Sequence, residues 1–119
     1  MENLHKLSAF NMAAGDTFFT VNFNGFEKYS IQAIWADVTG TNNGTIKVLQ
    51  SLDGTNFDQL KTINSAGAEV DFGITMSGTD GSATIEDKVG FTGKTMKVVF
   101  AEGTITGGTL DIYINKIYA

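Results

Sequence analysis

The apolar and polar positions of this chain alternate in short bursts. In Thr95-Met96-Lys97-Val98-Val99-Phe100, the side chains of Met96, Val98 and Phe100 fall on one side of an extended backbone. In Leu110-Asp111-Ile112-Tyr113-Ile114-Asn115, Leu110, Ile112 and Ile114 face one way and Asp111, Tyr113 and Asn115 the other. Ile46 and Val48 flank Lys47 in the same manner. A period of two is the mark of a half-buried strand. Tyr29 to Val38 is apolar on both faces, which predicts a central strand or one whose outer face another chain covers. Strands are expected near 16–23, 27–39, 45–52, 56–63, 68–76, 82–89, 94–102 and 108–118.

Turn residues punctuate these segments. Gly and Asn tolerate positive φ, and Thr favours strands. Turns are expected at Asn24-Gly25, Gly40 to Gly44, Asp53-Gly54, Ser65-Ala66-Gly67, Gly78 to Gly81, Gly90 to Gly93, Gly103 and Gly107-Gly108. About eight strands at this spacing predict an all-β antiparallel β-sandwich of jelly-roll type. Helical periodicity is confined to Leu4, Leu7 and Phe10. Residues 1–15 carry no clear cap, so they read as an N-terminal arm or edge strand, with a short helix as the lesser alternative. Residues 16–119 then form a single sandwich domain.

Composition narrows the class. The 119 residues can bury roughly two thirds of the surface of the unfolded chain, enough for one core. Cysteine and proline are absent, so disulfides, thiolate metal sites and polyproline motifs are excluded. The eight basic residues are all Lys, and the net charge is −5. Such a chain repels a phosphate backbone and offers no guanidinium fork, so neither nucleic acid nor a membrane surface is an expected partner. The first residues lack a basic stretch followed by an apolar one, which fits a protein used without export through a signal peptide.

Candidate chemistry is sparse. His5 is the only imidazole and reads as an exposed, solvated side chain near the N-terminus. The carboxylates are scattered, mostly beside Gly, Thr or Lys, and no pair stands out as an acid/base couple. Asp53-Gly54-Thr55-Asn56-Phe57-Asp58 has two acids five apart but departs from the EF-hand order, so a turn is the preferred reading over a calcium loop. Gly93-Lys94-Thr95 resembles the end of a phosphate loop, yet position 88 is Lys where the first glycine belongs. Trp35, Phe18, Phe19, Phe23, Phe26, Tyr29 and Phe57 are read as core, with a sugar-stacking platform as the alternative. No enzyme activity and no cofactor are expected.

Ile31-Gln32-Ala33-Ile34-Trp35-Ala36, followed by Gly44-Thr45-Ile46-Lys47-Val48-Leu49-Gln50-Ser51-Leu52-Asp53-Gly54-Thr55-Asn56-Phe57-Asp58, carries a resemblance. A strand ending in Gln-Ser-x-Asp-Gly-x-Asn-Phe resembles small β-sandwich virion proteins of tailed bacteriophages, those of the crAss-like group in particular. The match spans about residues 29–60. The resemblance implies an architectural role, with no catalytic residues to transfer: an auxiliary capsid (decoration) protein located in the virion. It would bind the assembled major capsid protein and other virion proteins, and itself as a homo-oligomer. A tail or head-fibre component and a carbohydrate-binding or adhesion module are the alternatives. Expected contact residues are Leu4, Leu7 and Phe10 in the first segment, and Tyr113, Ile117 and Tyr118 in the last. Residues 1–15 and Tyr113 to Ala119 are the expected contact elements. Asp53-Gly54 is expected to form a tight hairpin turn, with Phe57 packing back on the sheet.

Overall fold

A computed structural model describes residues 2–23, 27–63, 65–91 and 93–118, apart from the side chains of 2, 27, 63, 87–91, 117 and 118. Eleven strands follow in order: β1 (Glu2–Asn11), β2 (Thr17–Asn22), β3 (Glu27–Gly40), β4 (Thr45–Ser51), β5 (Asp58–Gln59), β6 (Lys61–Ile63), β7 (Glu69–Asp71), β8 (Gly73–Thr75), β9 (Gly81–Phe91), β10 (Thr95–Ala101) and β11 (Ile105–Tyr118). A 3-10 turn, Met12–Ala14, joins β1 to β2.

Two antiparallel sheets form the body. The first has the order β1-β11-β3-β9. The second has the order β2-β10-β4, with β5 and β8 sharing the far edge of β4. Successive long strands therefore change sheets, and the last strands insert between the first ones. This is the strand order of a jelly roll. The early segment is an edge strand rather than a free arm: β1 pairs with β11 from Glu2↔Lys116 to Asn11↔Thr109. β3 is central, between β11 and β9, and Ile34 is the large apolar residue on its outer side, 37% exposed.

The inward positions are the ones that alternation selects. Met96, Val98 and Phe100 of β10 meet Ile46 and Val48 of β4 and Ile31, Ala33, Leu110, Ile112 and Ile114 of the first sheet in one buried cluster. Trp35 is buried as well, and its indole N–H donates to the Ser77 carbonyl at 3.0 Å. Gly81 lies against that indole: a Cβ there would sit 2.8 Å from the ring. Truncating a fully buried aromatic such as Phe100 to Ala costs about 3–5 kcal/mol.

Two turn expectations and two strand expectations need correction. Gly107-Gly108 does not end a strand. It lies within β11, where the register slips against β3 on both sides of Gly107. Gly108 takes φ +123°, and a Cβ there would meet Met12, Ala36 and Val38 at 2.9–3.0 Å. The bulge lets one strand bend round the sandwich corner. Asp53-Gly54 is not a two-residue hairpin turn either, because β4 ends at Ser51 and β5 begins at Asp58. The Asp53 carboxylate organises this longer loop. It accepts from Ser51 Oγ at 2.9 Å, from the Thr55 and Asn56 N–H groups at 2.8 Å, and from Asn56 Nδ2 at 2.7 Å. The expected 56–63 and 68–76 strands are each broken, at Leu60 and Phe72. Beyond those breaks β6 and β7 form a separate two-stranded ribbon. The Asn24-Gly25 turn lies outside the described residues.

Candidate binding surfaces

Because side chains alternate along a strand, each sheet has one face for the core and one for its surroundings. The two outer faces differ sharply in chemistry.

Three cross-strand rows on the outer side of the second sheet surround Lys97, and Ala101, Thr45 and Thr75 continue them as a fourth. Phe18 of β2, Val99 of β10 and Lys47 of β4 form one, and Thr20, Lys97 and Leu49 the next. Asn22, Thr95 and Ser51 form the third. Phe18 is 58% exposed, and Val99 and Leu49 are half-buried. Lys97 Nζ stands 4.3 Å from the Phe18 ring centroid and 5.4 Å from that of Phe57. The ammonium thus bridges two aromatic faces, and Phe57 folds back over the sheet as the sequence suggests. Leu52, in the loop after β4, is 76% exposed. The three rows hold two lysines and no carboxylate, although the chain as a whole carries 13 acids against 8 bases.

The outer face of the first sheet is polar. An open groove of about 490 Å³ crosses it, lined by Asn3 from β1, Tyr113 and Asn115 from β11, Ser30, Gln32 and Ile34 from β3, and Thr84 from β9. Register places Asn3, Asn115 and Ser30 in one row and Tyr113, Gln32 and Thr84 in the next. The His5 ring stacks on Tyr113 with centroids 4.1 Å apart and an interplanar angle of 12°. His5 Nε2 lies 3.1 Å from Asp111 Oδ1, and the Ala9 N–H donates to that same oxygen at 3.0 Å. Asp111 therefore fixes the irregular stretch of β1, where Ala9 takes φ +49°, along with the imidazole. His5 is exposed, as its position suggests, but it is held by Tyr113 and Asp111.

The residues expected to make contacts distribute unevenly. Leu4, Leu7 and Phe10 are half-buried and pack against the protein's own core, with the Phe10 ring edge-on to Phe100 at 6.1 Å. Tyr113 lines the groove. The side chains of Ile117 and Tyr118 lie outside the described residues; their backbones pair with Lys28 and Glu27. Of the aromatic set, Phe23 and Tyr29 are buried and Phe19 packs on the core. Phe18 and Phe57 mark the outer face, and Phe26 lies outside the described residues.

Asp53 is held well below the usual carboxylate range by hydrogen bonds from Asn56, Thr55 and Ser51, which is turn chemistry. Asp58, its neighbour in sequence, sits opposite Gln50 in the β4-β5 ladder. Among the described residues no three His, Asp or Glu side chains group so as to hold a metal ion. On the ribbon, Lys61 Nζ meets Asp71 Oδ1 at 2.6 Å, which raises the Lys61 pKa. Both partners are exposed, so the pair contributes little to stability. No helix among the described residues is long and apolar enough to cross a membrane. The sequence matches no protein-family model and no curated protein.

Proposed function

We propose that this chain is an auxiliary capsid protein of a tailed bacteriophage, which binds the assembled major capsid protein through the outer face of its second sheet. The observation that carries the reading is the apolar strip of exposed Phe18 with half-buried Val99, Leu49 and Phe57 around Lys97. Contiguous exposed apolar surface with a polar rim marks contact with another macromolecule. Aromatic groups at the centre of such a patch are the usual energetic anchors. The resemblance of residues 29–60 to phage virion sandwiches supplies the partner. The jelly-roll order alone would not, since one fold serves many functions.

The mechanism is burial. Docking removes the Phe18, Leu49 and Phe57 surfaces from water, and Lys97 and Lys47 meet acidic groups on the shell. A stable contact of this kind buries more than about 1,200 Å² in total. The test is co-sedimentation of the purified chain with capsids lacking it. Saturable binding is expected, weakened at least tenfold by Phe18→Ser combined with Lys47→Glu, with the thermal melt unchanged. Equal binding of the variant would remove this face from the contact, and no binding of the unaltered chain would remove the function. A tail or head-fibre position predicts binding to particles at a dozen or so sites instead of hundreds.

A further inference from the structure

The groove on the first sheet plays no part in that reading, yet its lining is specific in kind. Every side chain that lines it is uncharged. The amides of Asn3, Gln32 and Asn115 and the hydroxyls of Ser30, Thr84 and Tyr113 each combine donor and acceptor capacity. Their best complement is a ligand whose polar atoms also donate and accept at once, as sugar hydroxyls do. An ionic ligand finds no counter-charge among these side chains.

Apolar contact is available beside them. Ile34 is 37% exposed within the groove. Tyr113 presents a ring whose His5-facing side is already covered. The side left for a ligand is the one toward Gln32, its cross-strand partner on β3. The stack on His5 and the His5–Asp111 contact hold that ring in place before any ligand arrives. Such pre-ordering lowers the entropic cost of binding.

The groove volume of about 490 Å³ lies within the range of small-molecule sites.

We infer that this groove is a binding site for a neutral oligosaccharide, with Tyr113 and Ile34 beside the sugar C–H faces and the polar side chains of Asn3, Ser30, Gln32 and Thr84 meeting its hydroxyls. The experiment is an NMR amide titration of the full chain with maltohexaose, cellohexaose, xylohexaose and chitohexaose. A galacturonic acid trimer and a heparin hexasaccharide serve as charged comparators.

At least one neutral chain is expected to bind at millimolar or tighter affinity. Its shifts should be confined to residues 3, 30–34, 84 and 113–115. Gln32→Ala, at an exposed position, and Tyr113→Phe should each weaken binding at least tenfold while leaving the dispersed spectrum intact. Phe18→Ser on the opposite face should leave affinity unchanged. Absence of binding by all four neutral chains, shifts mapping elsewhere, stronger binding of a charged chain, or unchanged affinity in Gln32→Ala would overturn the assignment. The two faces are tested by different variants, so failure here leaves the capsid contact standing, and the reverse.

Discussion

Gln59 closes a junction where three strands meet, and its replacement gives a sharp stability test. The Val48 N–H donates to the Phe72 carbonyl, the Phe72 N–H to Leu60, and the Leu60 N–H to Val48. These three backbone bonds form a closed ring. Gln59 Nε2 sits over it, 3.0 Å from Val48 O, 2.8 Å from Leu60 O and 3.2 Å from Phe72 O. Two amide hydrogens thus serve three oxygens. Gln59→Leu keeps most of the bulk and removes both donors. At 0.5–1.5 kcal/mol net per bond, it should cost about 1–3 kcal/mol. In a domain of this size that lowers the melting temperature by roughly 4 °C per kcal/mol.

Gln59→Glu should cost more at pH 7, because it aims a carboxylate at three carbonyl oxygens. There the carboxyl can donate only when protonated, so its folded pKa is raised above the ordinary value. The sign follows: the penalty is full above the raised value and shrinks as pH falls through it. Urea melts read by the fluorescence of the single buried Trp35 measure both variants. At pH 7 the order should be Gln, Leu, Glu. Near pH 4 the Glu variant should regain ground on Leu at the same pH. A Leu variant within about 0.5 kcal/mol of the parent, or a Glu variant equal to Leu at pH 7, would refute the junction argument.

Other perturbations separate further effects. Gly67→Ala, at φ +82° with nothing within 4 Å, should show backbone strain alone, about 1 kcal/mol. Gly108→Ala adds the clash with Met12, Ala36 and Val38 and should cost clearly more in a thermal melt; equal losses would refute the bulge packing. Asp53→Asn should destabilise at pH 7. Because the folded pKa of Asp53 is depressed, its contribution is present above the ordinary carboxylate value and lost as pH falls toward the lowered one, so the gap between parent and variant should narrow below about pH 4. A gap constant with pH would remove the carboxylate charge from the loop's stability. Asp111→Ala should raise amide hydrogen exchange at Ala9 and quench the His5 ring-current shift of Tyr113, whereas an unchanged spectrum would contradict the clasp.

The strands β4, β10 and β11 were legible because they carry alternation strong enough to assign a core face. The breaks were not. Leu60 and Phe72 look like strand residues; what takes them out of line is the three-way junction and the Gln59 amide above it, partners distant in sequence. Gly107-Gly108 has the composition of a turn, and only pairing with β3 makes it a bulge. Asp53-Gly54 looks like a hairpin dipeptide, but the Asp53 side chain stabilises a longer loop.

The surfaces were harder to read. Phe18 and Phe19 are adjacent, so one of them must point outward, and the sequence does not say which. Leu4, Leu7 and Phe10 are apolar because β1 has a core side. The groove residues are ordinary polar positions in their own strands, and only sheet register gathers them. Lys116 continues the inward row of Ile112 and Ile114. It is buried, donating to the Asn22 carbonyl at 3.0 Å across the end of the sandwich with its ammonium 4.9 Å from the Phe23 ring centroid.

The proposed attachment of the apolar face to a capsid is tested most directly by quantitative mass spectrometry of purified phage particles. It predicts hundreds of copies per particle, with lysine cross-links to the major capsid protein running from Lys47 and Lys97. Particles without the chain, or cross-links from that face to no other protein, would contradict it.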